Sequence, residues 1–229
     1  MTRRLHTTTL LSQFGWRMYS RARLAIHPHI FFKQLYALDW YKQTLVAWLS
    51  WLNPDSGSRI LEVGCSTGAF AAELAQQGYN VTGVDRSARA IHYARRQHQY
   101  DSLQFEIGDA LHLPAPLQDF SYTLAASLLN VVNEQAQLLA EMARVTATNG
   151  IVSCLFPTPA MTTATTSEFI QSHGLTGFSA HALLLWARLA LKLEPSTVMD
   201  QFTSAQLTNL HSSTFLQGML CGVSGRKRD

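Results

Sequence analysis

A chain of 229 residues, 47% apolar and 14% charged, is long enough to bury a full core without metal or disulfide support, and its length fits one domain with appendages. Its net charge of +3 comes from 18 basic and 15 acidic residues. The basic residues beyond the first segment are scattered and form no continuous phosphate-binding stripe, which disfavours a nucleic-acid partner. Three cysteines, Cys65, Cys154 and Cys221, are odd in number and widely spaced, which argues against a disulfide framework or a zinc-type pair and for a reducing, cytoplasmic compartment.

The first 38 residues hold Arg3, Arg4, Arg17, Arg21, Arg23 and Lys33 without one acid. Such a stretch carries a positive field and reads in three ways: a plain solvated helix, a contact for an anionic partner, or an organelle transit peptide, whose Arg-rich, hydroxyl-rich, acid-poor look it shares.

From residue 59 the pattern alternates. Strands are expected near 59–63, 80–84, 103–107, 120–126 and 150–156, with helices near 68–77, 87–98 and 134–145 between them. That order predicts a parallel sheet covered on both faces, with ligands bound beyond the carboxyl ends of the strands. The stretch 214–227, β-leaning with Gly218, Gly222 and Gly225, is expected to close the sheet as a hairpin.

The chemistry concentrates at the ends of the first three strands. Residues 59–68 read Arg-Ile-Leu-Glu-Val-Gly-Cys-Ser-Thr-Gly, an apolar run that closes on Glu62 and turns through Gly64 and Gly68 into an alanine-rich segment. A strand and a helix meet this tightly where glycine removes the Cβ clash, and main chain can then close on a ligand at the helix N-terminus. Asp85 stands 21 positions beyond Gly64, the distance that carries a chain down one helix and up the next strand, so it returns beside the turn where a carboxylate can accept from ribose hydroxyls. Gly108-Asp109-Ala110 places a third carboxylate on the same rim. A dinucleotide is disfavoured: from Gly64 the fingerprint would need glycines where Ser66 and Ala69 stand. A phosphate loop lacks its Gly-Lys pair, and a pyrophosphate would meet three like charges. A cationic ligand with a free ribose fits better.

These residues resemble the first motif of the class I S-adenosylmethionine-dependent methyltransferases, Asp/Glu-x-Gly-x-Gly-x-Gly, which stands here as Glu62-Val63-Gly64-Cys65-Ser66-Thr67-Gly68. Val81-Thr82-Gly83-Val84-Asp85 looks like the family's ribose-binding strand end, and Gly108-Asp109-Ala110-Leu111-His112-Leu113-Pro114 like its adenine-binding turn. Asp119-Phe120-Ser121-Tyr122 resembles the opening of the fourth strand, and residues 139–150, with Glu141, Arg144 and Gly150, the helix and turn before the fifth. The likeness spans roughly residues 40–157. It implies an α/β, Rossmann-like, doubly wound, mostly parallel seven-stranded sheet with N-terminal helices and a helical insertion after the fifth strand. The corresponding division is a helical arm or cap at 1–52, a cofactor-binding core at 53–157, an insertion or lid at 158–211 and closing strands at 212–229. It implies S-adenosyl-L-methionine as cofactor, held by Glu62, Gly64, Cys65, Ser66, Gly68, Asp85, Arg86, Asp109, Ala110 and Ser127, with Glu62 at the methionine end.

The chain departs from the motif at Ser66, where the family has its middle glycine. If that position needs a positive φ, serine strains the turn by about 1 kcal/mol; if not, its hydroxyl adds a donor. Cys65 is read as packing and backbone supply. Each acid also has a structural alternative: Glu62 as a satisfied strand-end carboxylate, Asp85 as a helix N-cap near Ser87, Asp109 as a turn residue.

Beyond the fifth strand, Pro157-Thr158-Pro159, Thr162-Thr163 and Thr165-Thr166 read as a poorly structured link that could serve as a hinge. The apolar run 183–193, interrupted by Arg188 and Lys192, is too short to span a bilayer. As a helix it suits a lid over a greasy acceptor, a peripheral membrane contact, or packing on the core or a second subunit, so a monomer and a homodimer both stay open. Methyl transfer needs in-line positioning and exclusion of water, and a base only where the acceptor must lose a proton. Candidates for such contacts are Ser127, Asn130, His112, His27 and His29, none assigned as catalytic. The run 125–131 lacks the Asn/Asp-Pro-Pro-aromatic segment of base amino methylation, which leaves a small, apolar or aromatic organic acceptor, with no metal expected. The alternatives are a cofactor-binding protein without transfer activity, serving regulation or a partner enzyme, and an NAD-dependent reductase, disfavoured by Ser66 and Ala69.

Overall fold

The computed structural model describes residues 34–228. In chain order these form α1 (Asp39–Leu52), β1 (Arg59–Val63), α2 (Ala69–Gln76), β2 (Asn80–Asp85), α3 (Ala88–Gln97), β3 (Leu103–Ile107) and β4 (Phe120–Ala126). There follow α4 (Gln135–Val145), β5 (Thr146–Pro157), α5 (Thr163–Ser172), α6 (Gly177–Leu189), α7 (Pro195–Ser204), β6 (Leu207–Phe215) and β7 (Leu220–Lys227). The strands make one seven-stranded sheet in the order β3-β2-β1-β4-β5-β7-β6. β7 runs antiparallel to both β5 and β6, while β1 pairs in parallel with β2 and β4. The doubly wound, mostly parallel sheet expected from the alternation is what the chain builds.

Local sequence explains several boundaries. Ser87 caps α3 by accepting from the Ala90 amide at 3.2 Å, and α7 opens on Pro195, whose missing N–H costs nothing in a first turn. In β1, successive side chains go to opposite faces: Ile60 joins the core under α1, α2 and α3, and Leu61 and Val63 join the core under α4 and α7. Burial on both faces is why these strands read as near-continuous apolar runs. The strand order reverses between β1 and β4, so the crevice beyond their carboxyl ends is the topological switch point.

Three expectations are corrected. The closing hairpin starts at Leu207, inside the span assigned to the insertion. As an edge strand paired only with β7, β6 keeps much of its surface in water, and its polar run Thr-Asn-Leu-His-Ser-Ser-Thr hid it. The threonine-rich link is ordered. The Thr158 hydroxyl donates to the Gly218 carbonyl at 2.7 Å, Thr162 and Thr165 form a reciprocal capping box, and Thr166 is buried, so hydroxyls supply the backbone partners that a loose loop would take from water. The apolar run 183–193 is helical only to Leu189; beyond it the Leu193 amide donates to the Pro157 carbonyl at 2.9 Å, tying the segment back to the sheet. No helix among the described residues is long and apolar enough to cross a membrane. The basic arm falls almost wholly outside the described residues.

Candidate functional site

The turn from β1 into α2 is built from left-handed residues: Gly64 at φ 79°, Ser66 at φ 49° and Gly68 at φ 73°. A Cβ at Gly68 would stand 2.4 Å from the Phe105 ring, so both conformation and space require glycine there. The Gly64 and Cys65 amides donate to the Val84 carbonyl at 2.8 and 3.0 Å, which stitches the turn to the end of β2. Ser66 does occupy a positive-φ position, and the strain expected in that case is present.

Asp85 fixes the turn from the other side. Its Oδ2 accepts from the Ser66 amide at 2.9 Å and its Oδ1 from the Ser87 amide at 2.8 Å. Ser87, not Asp85, caps α3. A carboxylate offers about four lone-pair positions, so two remain for a ligand. The Gly108 amide donates to the Asp85 carbonyl at 3.2 Å, which brings the β3 turn to the same rim.

Glu62 is 1% exposed, and neither of its carboxylate oxygens closes a hydrogen bond. Burial pushes its pKa up to about 8; the Ala71 amide opposes the shift and the Asp85 charge adds to it. The Ala71 amide approaches this carboxylate without closing a hydrogen bond of normal geometry, so the protein leaves Glu62 incompletely satisfied. Thr67 Oγ1, Ser127 Oγ and Asn130 Oδ1 are likewise buried without a hydrogen-bond partner. These oxygens belong to β1 itself, to the turn after it and to the segment after β4. Each unpaired buried polar atom costs about 1–3 kcal/mol, so these oxygens at the carboxyl ends of β1 and β4 are candidates to meet a polar ligand.

Two tyrosines complete the cluster. Tyr41 on α1 is 2% exposed; burial raises its pKa to about 12, against a lowering by the Ser127 hydroxyl beside it, with the Glu62 charge raising it further. The Ser127 hydroxyl nonetheless closes no hydrogen bond of normal geometry, so the pair is a close approach. Tyr36 has a partly exposed ring but a buried hydroxyl, and its pKa is raised by that burial, then by Tyr41, Glu62 and Cys65. Sequence reasoning missed both phenols and Thr67. The available signal was a tyrosine on the apolar face of a helix, whose hydroxyl needs a partner; that partner lies far along the chain.

The other expected residues sort as follows. Cys65 is fully buried and its thiol is pushed well up by burial, which suits packing and no nucleophile. Ser127, at φ 55°, ends β4 with its amide donating to the Leu155 carbonyl at 2.7 Å. Asp109 is exposed and its Oδ1 accepts from the Leu111 amide at 2.9 Å, the geometry of a turn residue. Ala110 packs on the second core, and Arg86 is exposed next to Asp85. The loop that follows Asp109 is held from α4: Glu141 Oε2 accepts from the Leu113 amide at 2.7 Å, and Arg144, paired with Glu141 at 2.8 Å, donates to the Leu113 carbonyl at 2.9 Å. His112 is exposed, and His27 and His29 lie outside the described residues.

An open cleft of about 880 Å³ lies away from these oxygens, toward the β6 edge of the sheet, between α4, α7 and the ends of β6 and β7. Two of the three cations that line it are engaged by the protein, Arg144 with Glu141 and Lys227 with the Arg144 and Thr146 carbonyls; the third is Arg228. The candidate site is therefore taken from the unpaired oxygens near the ends of β1 and β4 and not from cleft volume.

A family model described as a methyltransferase domain matches residues 60–150. A fatty-acid O-methyltransferase of Mycolicibacterium smegmatis is 36% identical over 91 residues, covering 39% of this chain and 33% of that protein. A malonyl-[acyl-carrier protein] O-methyltransferase of Pectobacterium atrosepticum is 36% identical over 100 residues, 43% of this chain and 38% of that protein. The matched segment thus spans little more than a third of these relatives' own length. In structure, an S-adenosylmethionine-dependent methyltransferase of Thermotoga maritima, described as a possible histamine N-methyltransferase, superposes with TM-score 0.65 at 17% identity over 93% of this chain and 99% of that one. The fold is Rossmann-like, and residues 60–150 within it match a methyltransferase-domain model. The resemblance to the class I S-adenosylmethionine-dependent methyltransferases thus rests on residues 60–150 and on the fold.

Proposed function

We propose that the protein transfers the methyl group of S-adenosyl-L-methionine to an oxygen of a small, apolar organic acceptor by in-line displacement. The observation that carries this reading is the buried, cation-free Glu62 carboxylate standing with the unpaired Ser127 and Asn130 oxygens at the β1–β4 crevice. Those groups fit the cofactor. The glycine turn supplies main-chain amides, Asp85 keeps lone pairs for ribose hydroxyls, and Glu62 lacks the positive charge that an ammonium and a sulfonium bring. Bound, the cofactor supplies an activated methyl carbon and a neutral thioether leaving group. The residues of the chain then have to orient, desolvate and exclude water, and the packed rings of Trp40, Tyr41 and Trp186 between α1 and α6 suit the last of these. The relatives named as O-methyltransferases support oxygen as the methylated atom, and two of them carry acyl substrates in their names. Leu189 and Leu191, 58% and 57% exposed where α6 ends within the insertion, suit an apolar acceptor.

The test is incubation of the purified chain with methyl-labelled cofactor and a fractionated metabolite extract. Label recovered on an apolar metabolite as a methyl ester or ether supports the reading. Cofactor binding by calorimetry with no labelled product in any fraction supports a binding protein without transfer activity instead.

A further inference from the structure

The three most exposed large apolar residues among those described, Val131 at 67%, Leu189 at 58% and Leu191 at 57%, stand on one rim of the sheet. Val131 follows the carboxyl end of β4, and Leu189 and Leu191 lie where α6 ends, a segment that the Leu193 amide ties to the Pro157 carbonyl at the carboxyl end of β5. β4 and β5 run in parallel with Ala126 opposite Leu155, so both strand ends belong to the same rim. The other exposed large apolar residues, Val46, Tyr100 and Ile107, are less exposed and lie on α1, before β3 and on β3.

Cations flank the two leucines. Arg188 is exposed in the last turn of α6, and Lys192 follows Leu191; Lys192 Nζ donates to the Ala187 carbonyl, which uses one of its three protons at the helix end. Neither pairs with a carboxylate among the described residues. The rim acids Glu134 and Glu194 are the N-caps of α4 and α7, where the positive helix ends offset part of their charge. The basic arm joins the fold beside α6, since Tyr36 packs edge-on to Tyr41 at 5.2 Å and Tyr41 to Trp186 of α6 at 5.8 Å. Residues 1–33 hold six cations and no acid, so the remaining 12 of the 18 basic residues face all 15 acids. The net positive charge of the chain therefore resides in the arm.

A bilayer with anionic headgroups accepts both features: leucines enter the acyl boundary while the cations beside them stay among the phosphates. Either signal alone gives marginal binding, whereas an apolar contact joined to a basic segment holds. A second copy of the chain fits less well, because two leucines and a valine cover far less than the roughly 800 Å² per partner of a stable dimer. We propose that the rim at 188–192, with Val131 at its border and the basic arm beside it, docks the protein on an anionic phospholipid surface. The crevice beyond β1 and β4 opens on that same rim, so an apolar acceptor dissolved in the bilayer would reach it directly. Only this last consequence rests on the proposed function.

Co-sedimentation of the full chain with lipid vesicles tests the docking surface without cofactor or turnover. The wild type is expected to bind vesicles of phosphatidylcholine with about one third phosphatidylglycerol roughly 100-fold more tightly than phosphatidylcholine alone, and to be released as salt rises from about 0.1 M to about 1 M. Leu189→Ser/Leu191→Ser is expected to weaken that binding roughly 10- to 100-fold, and Arg188→Gln/Lys192→Gln roughly 20-fold. Thermal melts confirm that each variant is folded. A folded wild type that binds neither vesicle, or a serine variant that binds as the wild type does, overturns the proposal. Gel filtration reads the rival occupant: a dimer that the serine variant dissociates assigns the rim to a second copy and overturns the proposal too. The labelled-extract assay reads methyl transfer separately, so either reading can fail while the other stands.

Discussion

The Ser66 amide donates to Asp85 Oδ2 at 2.9 Å, joining the glycine turn after β1 to the end of β2. The same carboxylate holds the Ser87 amide at 2.8 Å, so one side chain sets both the cradle and the start of α3. Asp85→Ala should therefore do two things at once: destabilise the fold by about 1–3 kcal/mol, from two lost charge-assisted hydrogen bonds, and weaken cofactor binding by at least roughly 100-fold. Asp85→Asn should keep part of the stability and little of the affinity. Chemical denaturation beside calorimetry separates the two; equal, small effects on both would deny Asp85 a ligand role.

Ser66 sits at φ 49°. A non-glycine residue there carries about 1 kcal/mol of strain, partly offset by the smaller entropy that serine loses on folding. Ser66→Gly should raise stability by up to about 1 kcal/mol, a Tm gain of up to about 3 °C in a chain of this size, and should keep cofactor affinity because the amide that meets Asp85 is unchanged. Ser66→Val, which puts a β-branched residue in the left-handed region, should cost about 2 kcal/mol or more. Differential scanning calorimetry ranks the three forms.

At Gly68 the obstacle is the Phe105 ring, 2.4 Å from an added Cβ, together with φ 73°. Gly68→Ala should destabilise by about 2–4 kcal/mol. Trimming the ring in the double variant Gly68→Ala/Phe105→Leu should recover the steric part and not the conformational part. A double-mutant cycle on denaturation midpoints that shows strict additivity would disprove the contact.

Glu62 makes the protein pH-sensitive in a defined window. Its folded pKa of about 8 lies above the ordinary 4.5, so between those values the folded chain keeps a proton that the unfolded chain has lost. Stability contributed by this group is full below about pH 4.5 and declines as pH rises toward 8. Of the groups around it, Tyr36, Tyr41 and Cys65 are all raised well above that window, and the remaining charge is Asp85. The free protein should thus lose Tm between pH 6 and 8.5 more steeply than Glu62→Gln. A cationic cofactor reverses the balance by favouring the carboxylate: binding at pH 7 should release a proton, and affinity should rise from pH 6 to 8. Calorimetry in buffers of different ionisation enthalpy reads the proton directly. In Glu62→Gln the release should vanish and affinity fall by roughly 10- to 100-fold.

How far the site could be read in advance depended on where each residue's partners lie. The strand ends at Glu62, Asp85 and Asp109 were legible because a βαβ repeat has a fixed length, so acids at matching phase must return to one rim. Gly64 and Gly68 were legible because few other residues adopt their φ. Asp109 was located correctly, yet its carboxylate caps its own turn. Glu141 and Arg144 sit on a helix face that looks like an ordinary surface ion pair until Leu113 is brought between them. The threonines of 158–166 look like a loose link because hydroxyl-rich runs are usually solvated, and only the Gly218 carbonyl, supplied by the distant turn before β7, converts them into a fixed corner.

By itself the sequence determined the alternation of strands and helices, the glycine turn and the carboxylates that accompany it, since hydrophobic period and backbone freedom are properties of neighbouring residues. Tertiary structure decided what surrounds Glu62: Tyr36 arrives from the segment before α1 and Tyr41 from α1, which no local pattern relates to it, beside Asp85 from the end of β2. Burial and the loss of water around a charge arise only when such distant segments close over it, and that closure turns a strand-end glutamate into a group waiting for a cation.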